Sequence, residues 1–245
     1  MHWLMRWFSS LRLTVWILTI LIAVFFLGSY VMPLYPDAHA GINSMPLFDW
    51  WQHSGRGHMV INGWLPLSMI LLAVLTVNTL VCTVRSIRPG PSIWAHVVHL
   101  GFLFILLAHL VTASTGFRED GIVLVQGRSV AISKLDVQVQ LQRINYTPYP
   151  GGMPKDYSAE VLLVSDQGTS TGSLGPNRPL FHNGVPIYLK NFGFRPVPHA
   201  VCEVAHDPGA LVALAGSVLF LIGSAPLPFL RKTSEGGSKT VAEEP

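Results

Sequence analysis

Four apolar runs set the plan of this chain: Leu13 to Leu34, Trp64 to Thr83, Ile93 to Thr115 and Gly209 to Leu230. Each reaches or approaches the roughly 20 residues that a helix needs to cross the hydrocarbon of a bilayer. The last run carries Pro226 and Pro228 near its end. Between the third and fourth runs the pattern changes. Leu135 to Gln142 alternates apolar and polar residues without a break, the period of a half-buried strand. Ile122–Val125, Ser158–Val164 and Val185–Phe192 are shorter strand candidates. Turn signals separate them at Tyr149-Pro150-Gly151-Gly152, Asp166-Gln167-Gly168, Gly175-Pro176-Asn177 and His182-Asn183-Gly184.

The pattern predicts a membrane protein of four transmembrane α-helices, with a small antiparallel β-domain inserted between the third and fourth helices on the outer side. Residues 1–115 would hold three helices and an outer loop at 35–63. Residues 116–207 would form the extracytoplasmic β-rich domain, 208–232 the fourth transmembrane helix and 233–245 a flexible cytoplasmic tail. The first apolar run is too long for a signal peptide, and no small-residue cleavage site follows Tyr35, so a retained anchor is expected. His206-Asp207-Pro208 reads as a helix entry, with Asp207 as N-cap and Pro208 at the first helical position.

Composition supports the membrane reading. Half the residues are hydrophobic, 12% are charged and the mean hydropathy is +0.44; a soluble domain has about 25% charged residues. Basic residues give the orientation. Arg6 and Arg12 precede the first run, Arg85 and Arg88 lie between the second and third, and Arg231, Lys232 and Lys239 follow the fourth. With four spans these segments share one side, which the positive-inside rule makes cytoplasmic. Both termini are then cytoplasmic, and the β-domain faces outward. No basic cluster interleaved with aromatics suggests nucleic-acid binding. Of the two cysteines, Cys82 and Cys202 fall on opposite sides and cannot pair. Cys202 is expected to be a small buried apolar residue.

Chemistry concentrates in the third run, which carries His96, His99 and His109. An ionisable group inside a span is a functional hypothesis by default, and neutral imidazole ligates haem iron and other transition metals. On a helix, His96 and His99 lie about 60° apart, and His109 lies about 80° from His99 and about 15 Å along the axis. Gly101 leaves room on the helix for another helix or a flat ligand. His39, His53, His58, His182, His199 and His206 show no metal-type spacing and are expected to be polar surface residues. Phe48, Trp50 and Trp51 in the first outer loop suit either an interfacial belt or a segment used by a ligand or partner. No hydrolase or nucleotide-binding motif is present, and Glu119-Asp120 is expected to be solvated.

Several short motifs resemble the ResB/CcsB family of cytochrome c biogenesis proteins. They are Phe8-Ser9-Ser10-Leu11-Arg12-Leu13-Thr14, Asn78-Thr79-Leu80-Val81-Cys82-Thr83-Val84-Arg85, His99-Leu100-Gly101-Phe102-Leu103 and Gly116-Phe117-Arg118. They continue with Pro154-Lys155-Asp156-Tyr157-Ser158, Ile187-Tyr188-Leu189-Lys190-Asn191-Phe192-Gly193 and Asp207-Pro208-Gly209. The resemblance implies a membrane subunit of a cytochrome c synthetase. With a CcsA/ResC-type membrane protein it would move haem b outward and support its attachment to CxxCH cysteines of apocytochrome c. His99 then matches the family's intramembrane haem-ligand candidate, with His96 and His109 as secondary candidates. The outer domain here is shorter than in typical members. Two other readings stay open: a haem-holding electron-transfer subunit, and a scaffold that stabilises a CcsA-type partner.

Overall fold

The computed structural model describes residues 10–86, 93–166 and 168–228. Arg6, Arg88, Arg231, Lys232, Lys239 and the expected tail lie outside them. The described residues fall into two compact units, one helical and one built of strands from Gly116 to Asp207 together with Asn43–Met45.

The helical unit contains α1 (Leu11–Leu34), α2 (Leu47–His53), α3 (Met59–Asn62), α4 (Trp64–Ser86), α5 (Ile93–Thr115) and α6 (Ala210–Ser224). Three of them, α1, α4 and α5, are long and apolar enough to cross a membrane. Their outward side chains are apolar too: Trp16, Ile22 and Phe26 on α1, and Ile70 on α4, are more than half exposed. A helix facing water would put polar groups there.

Buried Ile17, Leu21 and Leu75 join α1 to α4. Thr14 Oγ1 donates to Asn78 Oδ1 across the same contact at 2.7 Å. Such interhelical bonds are worth about 0.6–2 kcal/mol where water is absent.

The fourth run forms a shorter helix than its apolar length predicts. α6 has 15 residues, about 22 Å of rise, and gives way to a turn at Ala225-Pro226, where proline withholds a backbone donor. Its N-cap is Gly209, not Asp207 as expected, so the helix entry sits two residues later. α6 lies against α5 along a seam of glycines. A Cβ on Gly101 would come 2.5 Å from Phe220 N, one on Gly216 would come 2.8 Å from Gly101 O, and one on Gly223 would come 2.7 Å from Val98 N. Gly209 meets Ala108 and Thr112 at the other end. The pairing order makes the two helices antiparallel. Only residues without side chains let two backbones approach this closely.

The second unit is a sandwich of two antiparallel sheets, in the orders β1-β8-β7-β6 and β2-β3-β4-β5. Its strands are β1 (Phe117–Val125), β2 (Ser129–Ile132), β3 (Val137–Pro148), β4 (Pro154–Ser165), β5 (Gly168–Leu174), β6 (Leu180–His182), β7 (Val185–Gly193) and β8 (His199–His206). Both sheets supply the core, with Val139, Leu141, Val161 and Leu163 from one and Leu124, Ile187, Cys202 and Val204 from the other. Asn183 and Gly184 both take positive φ, 49° and 79°, as a two-residue hairpin of the primed type requires between β6 and β7. The expected strand at Leu135 starts two residues late. Ser133–Leu135 is a 3-10 turn, and Asp136 takes a left-handed φ of 48°, a conformation that short polar side chains tolerate.

Candidate functional site

His99 projects from α5 toward α4, where its Nδ1 lies 3.0 Å from Thr83 Oγ1. The Thr83 hydroxyl proton is committed to the Thr79 carbonyl at 2.8 Å. The threonine oxygen therefore accepts, and His99 Nδ1–H donates. That fixes the tautomer and leaves the lone pair on Nε2. A ring held by its other nitrogen is the usual arrangement of a metal-ligating histidine.

The three histidines of α5 are not brought together. His96 is half-buried beside His99, and His109 is exposed. The space at Gly101 is filled by the backbone of α6, on the side of α5 about 200° from His99. It therefore receives a helix and not a flat ligand next to His99. Among the described residues no group of three or more His, Cys, Asp or Glu side chains could hold a metal ion. Any iron at His99 would need a second ligand from elsewhere.

The loop between α1 and α4 is folded. Trp50 is fully buried and its indole donates to Ala40 O at 2.8 Å, so it is a core residue of the loop. Asn62 is also fully buried and donates to Ala38 O and Gly55 O at 3.2 and 2.9 Å. His39 was expected at the surface, but it is 6% exposed. It donates Nδ1–H to the Tyr35 carbonyl at 2.9 Å, and its ring centroid is 6.4 Å from that of Trp64. His39 Nε2, Asn62 Oδ1 and Trp64 Nε1 are buried without a hydrogen-bond partner. Each such group costs about 1–3 kcal/mol when nothing satisfies it. No spacing rule marked His39, because its burial depends on Trp64, far away in sequence.

Among the described residues the sandwich has one buried charge. Glu203 is 5% exposed, on the face of β8 opposite the core. Lys190 Nζ approaches it to 2.9 Å and Arg118 Nε to 3.5 Å. Two bulges aim these groups. Asp120-Gly121 interrupts the β1 register and Lys190 the β7 register, both opposite β8 at this level. Gly121 takes a φ of 75° there. Bulges commonly re-aim side chains in this way. Burial pushes the Glu203 carboxyl up, but hydrogen bonds from Asp120 and Lys190 and the charges of Arg118 and Lys190 outweigh it and hold it below the usual range. Asp120 is held above its usual range, chiefly by its hydrogen bond to Glu203. Asp120 therefore interacts with Glu203, so the expectation of a merely solvated Glu119-Asp120 pair holds only in part. Cys202 is fully buried in the core, as expected, and burial pushes its thiol up to about 12.

Residues 93–201 match the model of the ResB-like family. Over this stretch the chain is similar to that family. The stretch runs from the start of α5 into β8 and includes His99 and Lys190, so the family resemblance drawn from the motifs is borne out over that span. No curated protein matches the chain. Among solved structures the chain is similar to "Cytochrome c Heme Lyase CcmF", at 12% identity and a TM-score of 0.39. The similarity covers 62% of this chain and 29% of that one.

Proposed function

We propose that this ResB-like chain works in cytochrome c biogenesis, as a membrane subunit that holds haem on its way outward for covalent attachment to apocytochrome c. The observation that carries this reading is His99. It is an intrahelical imidazole inside the ResB-like segment, with Nδ1–H donated to Thr83 and Nε2 available. Haem is flat, apolar and iron-bearing, and a histidine between apolar helices suits it. This chain's residues would bind and orient haem through His99 Nε2. The axial partner would come from a CcsA/ResC-type subunit. The charge pattern of Arg12 and Arg85 supports cytoplasmic ends for α1 and α4, with the sandwich on the outer side of a bacterial inner membrane.

The test is the visible spectrum of the complex purified with its CcsA-type partner. His99→Ala is expected to lose the co-purifying haem, and His96→Ala and His109→Ala to lose much less. Equal haem in all three variants and the wild type would sink the ligand assignment. Covalent haem on a co-expressed CxxCH reporter tests the function itself. A stable complex that leaves the reporter bare would favour the scaffold.

A further inference from the structure

Among the described residues the two sheets end in four edge strands, β1, β6, β2 and β5, and the first three are guarded. β1 carries the bulge at Asp120-Gly121, and its Arg118 N–H donates to the Asn43 carbonyl at 2.6 Å. β6 spans three residues. β2 spans four and lies between Arg128 and Lys134. Short strands, bulges and charges are the devices that keep an edge from pairing with another chain. β5 has none of them. It runs for seven residues, Gly-Thr-Ser-Thr-Gly-Ser-Leu, without charge or proline. Its register against β4 is unbroken from Ala159↔Leu174 to Ser165↔Gly168. Among the described residues β5 pairs with β4 alone.

In an antiparallel strand every second residue turns its N–H and C=O toward the same neighbour, so the alternate residues of β5 face away from β4. The exposed side chains of Thr169, Ser170, Thr171 and Ser173 add no charge to this edge. Gly172 lies on the inner face, opposite the core residue Val161. Partly buried Leu180 of β6 covers it: an added Cβ would come 2.5 Å from Leu180 Cδ2. A strand laid beside β5 would therefore bring an inward side chain next to Leu180, and an apolar one would extend the core. Main-chain bonds along an edge, with a place for alternate side chains, are what strand addition uses.

We propose that β5 is the docking edge for an extended, unfolded polypeptide, the apocytochrome segment that carries CxxCH, which adds to the sandwich as a further strand. The inference rests on the cytochrome c biogenesis reading above and names where that partner binds. A folded protein has its backbone donors and acceptors engaged in its own structure. A chain not yet folded around its haem keeps them available. The edge is uncharged, so it reads backbone rather than side-chain charge, and binding there changes little with salt.

The experiment follows the fluorescence anisotropy of a labelled apocytochrome c peptide, spanning CxxCH with serine for both cysteines, on the full chain purified in detergent. Of Ser170 and Thr171, one faces its N–H outward. Proline there removes an edge donor and leaves the β4 ladder whole. Of Ser170→Pro and Thr171→Pro, the variant that keeps the wild-type melting temperature therefore carries the test. It is expected to bind the peptide about tenfold more weakly, or worse. Binding equal to wild type overturns the inference and leaves the haem reading standing, because that reading is tested at His99 with no peptide present. A peptide that fails to bind wild type overturns it too. A second arm leaves the protein untouched and decides the matter should both proline variants lose their folded elution peak. Peptides N-methylated at odd or at even positions are compared: one set should lose binding and the other keep it, and an equal effect of the two sets overturns the inference. A wild-type chain that elutes as a dimer, and that the proline variant returns to a monomer, would show a second copy on β5 and also overturns it.

Discussion

Thr83 on α4 accepts a hydrogen bond from His99 on α5 at 3.0 Å, and that bond decides which nitrogen of the imidazole stays open. Thr83→Val keeps the side chain's shape and removes the acceptor. Loss of a partner that orients a ligating histidine commonly lowers metal affinity about 10–100-fold. Haem co-purifying with Thr83→Val is expected to fall, and Thr83→Ser should restore it. A Thr83→Val complex with the wild-type haem spectrum and content would show that His99 needs no such orientation.

The glycine seam makes a packing prediction. Gly216 on α6 lies so close to Gly101 on α5 that a side chain of any size displaces the helix. Gly216→Leu is expected to destabilise by about 1–3 kcal/mol or more, as overpacked cores do. Gly57, whose added Cβ would meet nothing within 4 Å, is the control, and Gly57→Ala should leave stability nearly unchanged. Thermal unfolding in detergent compares the two.

The carboxyl pair of the sandwich ties stability to pH. The Glu203 pKa is depressed below 4.5, so its contribution is present above that value and is lost as pH falls through the lower folded pKa. The Asp120 pKa is raised above 3.8. Its contribution has the opposite sign: it is present below 3.8 and is lost as pH rises through the folded value. Asp120→Asn keeps a donor toward Glu203 without needing a proton. It should raise stability at pH 7 by about 0.5–1.5 kcal/mol, the usual worth of a hydrogen bond, and change little at pH 3. Melting curves at the two pH values decide it, and a loss of stability at pH 7 would contradict the assignment.

Cys202 should be inert. Its thiol lies in the core, and its pKa near 12 leaves almost no thiolate at neutral pH, while the thiolate is the reactive species. A maleimide reagent at pH 7 is expected to leave Cys202 unmodified in the folded chain and to label it after denaturation. Cys202→Ser buries a hydroxyl in its place, at a cost of about 1–3 kcal/mol.

The helices long and apolar enough to cross a membrane, α1, α4 and α5, were legible from composition because hydrocarbon demands an unbroken apolar run. The strands were only partly legible. β4 and β7 contain the expected Ser158–Val164 and Val185–Phe192. β5, Gly168–Leu174, escaped notice because an exposed edge strand carries almost no apolar side chain. β8 escaped because Val201 and Ala205 on its outer face are as apolar as its core residues, which erases the alternation.

By itself the sequence determined three helices long and apolar enough to cross a membrane, the presence of a β-rich insertion and the three histidines of one helix, because hydrophobic run length and local periodicity are properties of neighbouring residues. Tertiary structure alone decided which atoms meet. It turned His99 to Thr83, filled the space at Gly101 with α6, buried His39 behind Trp64 and set Asp120 over Glu203. Each of these relationships joins residues distant along the chain. Its energy comes from desolvation and hydrogen bonding between elements, which no local pattern of residues records.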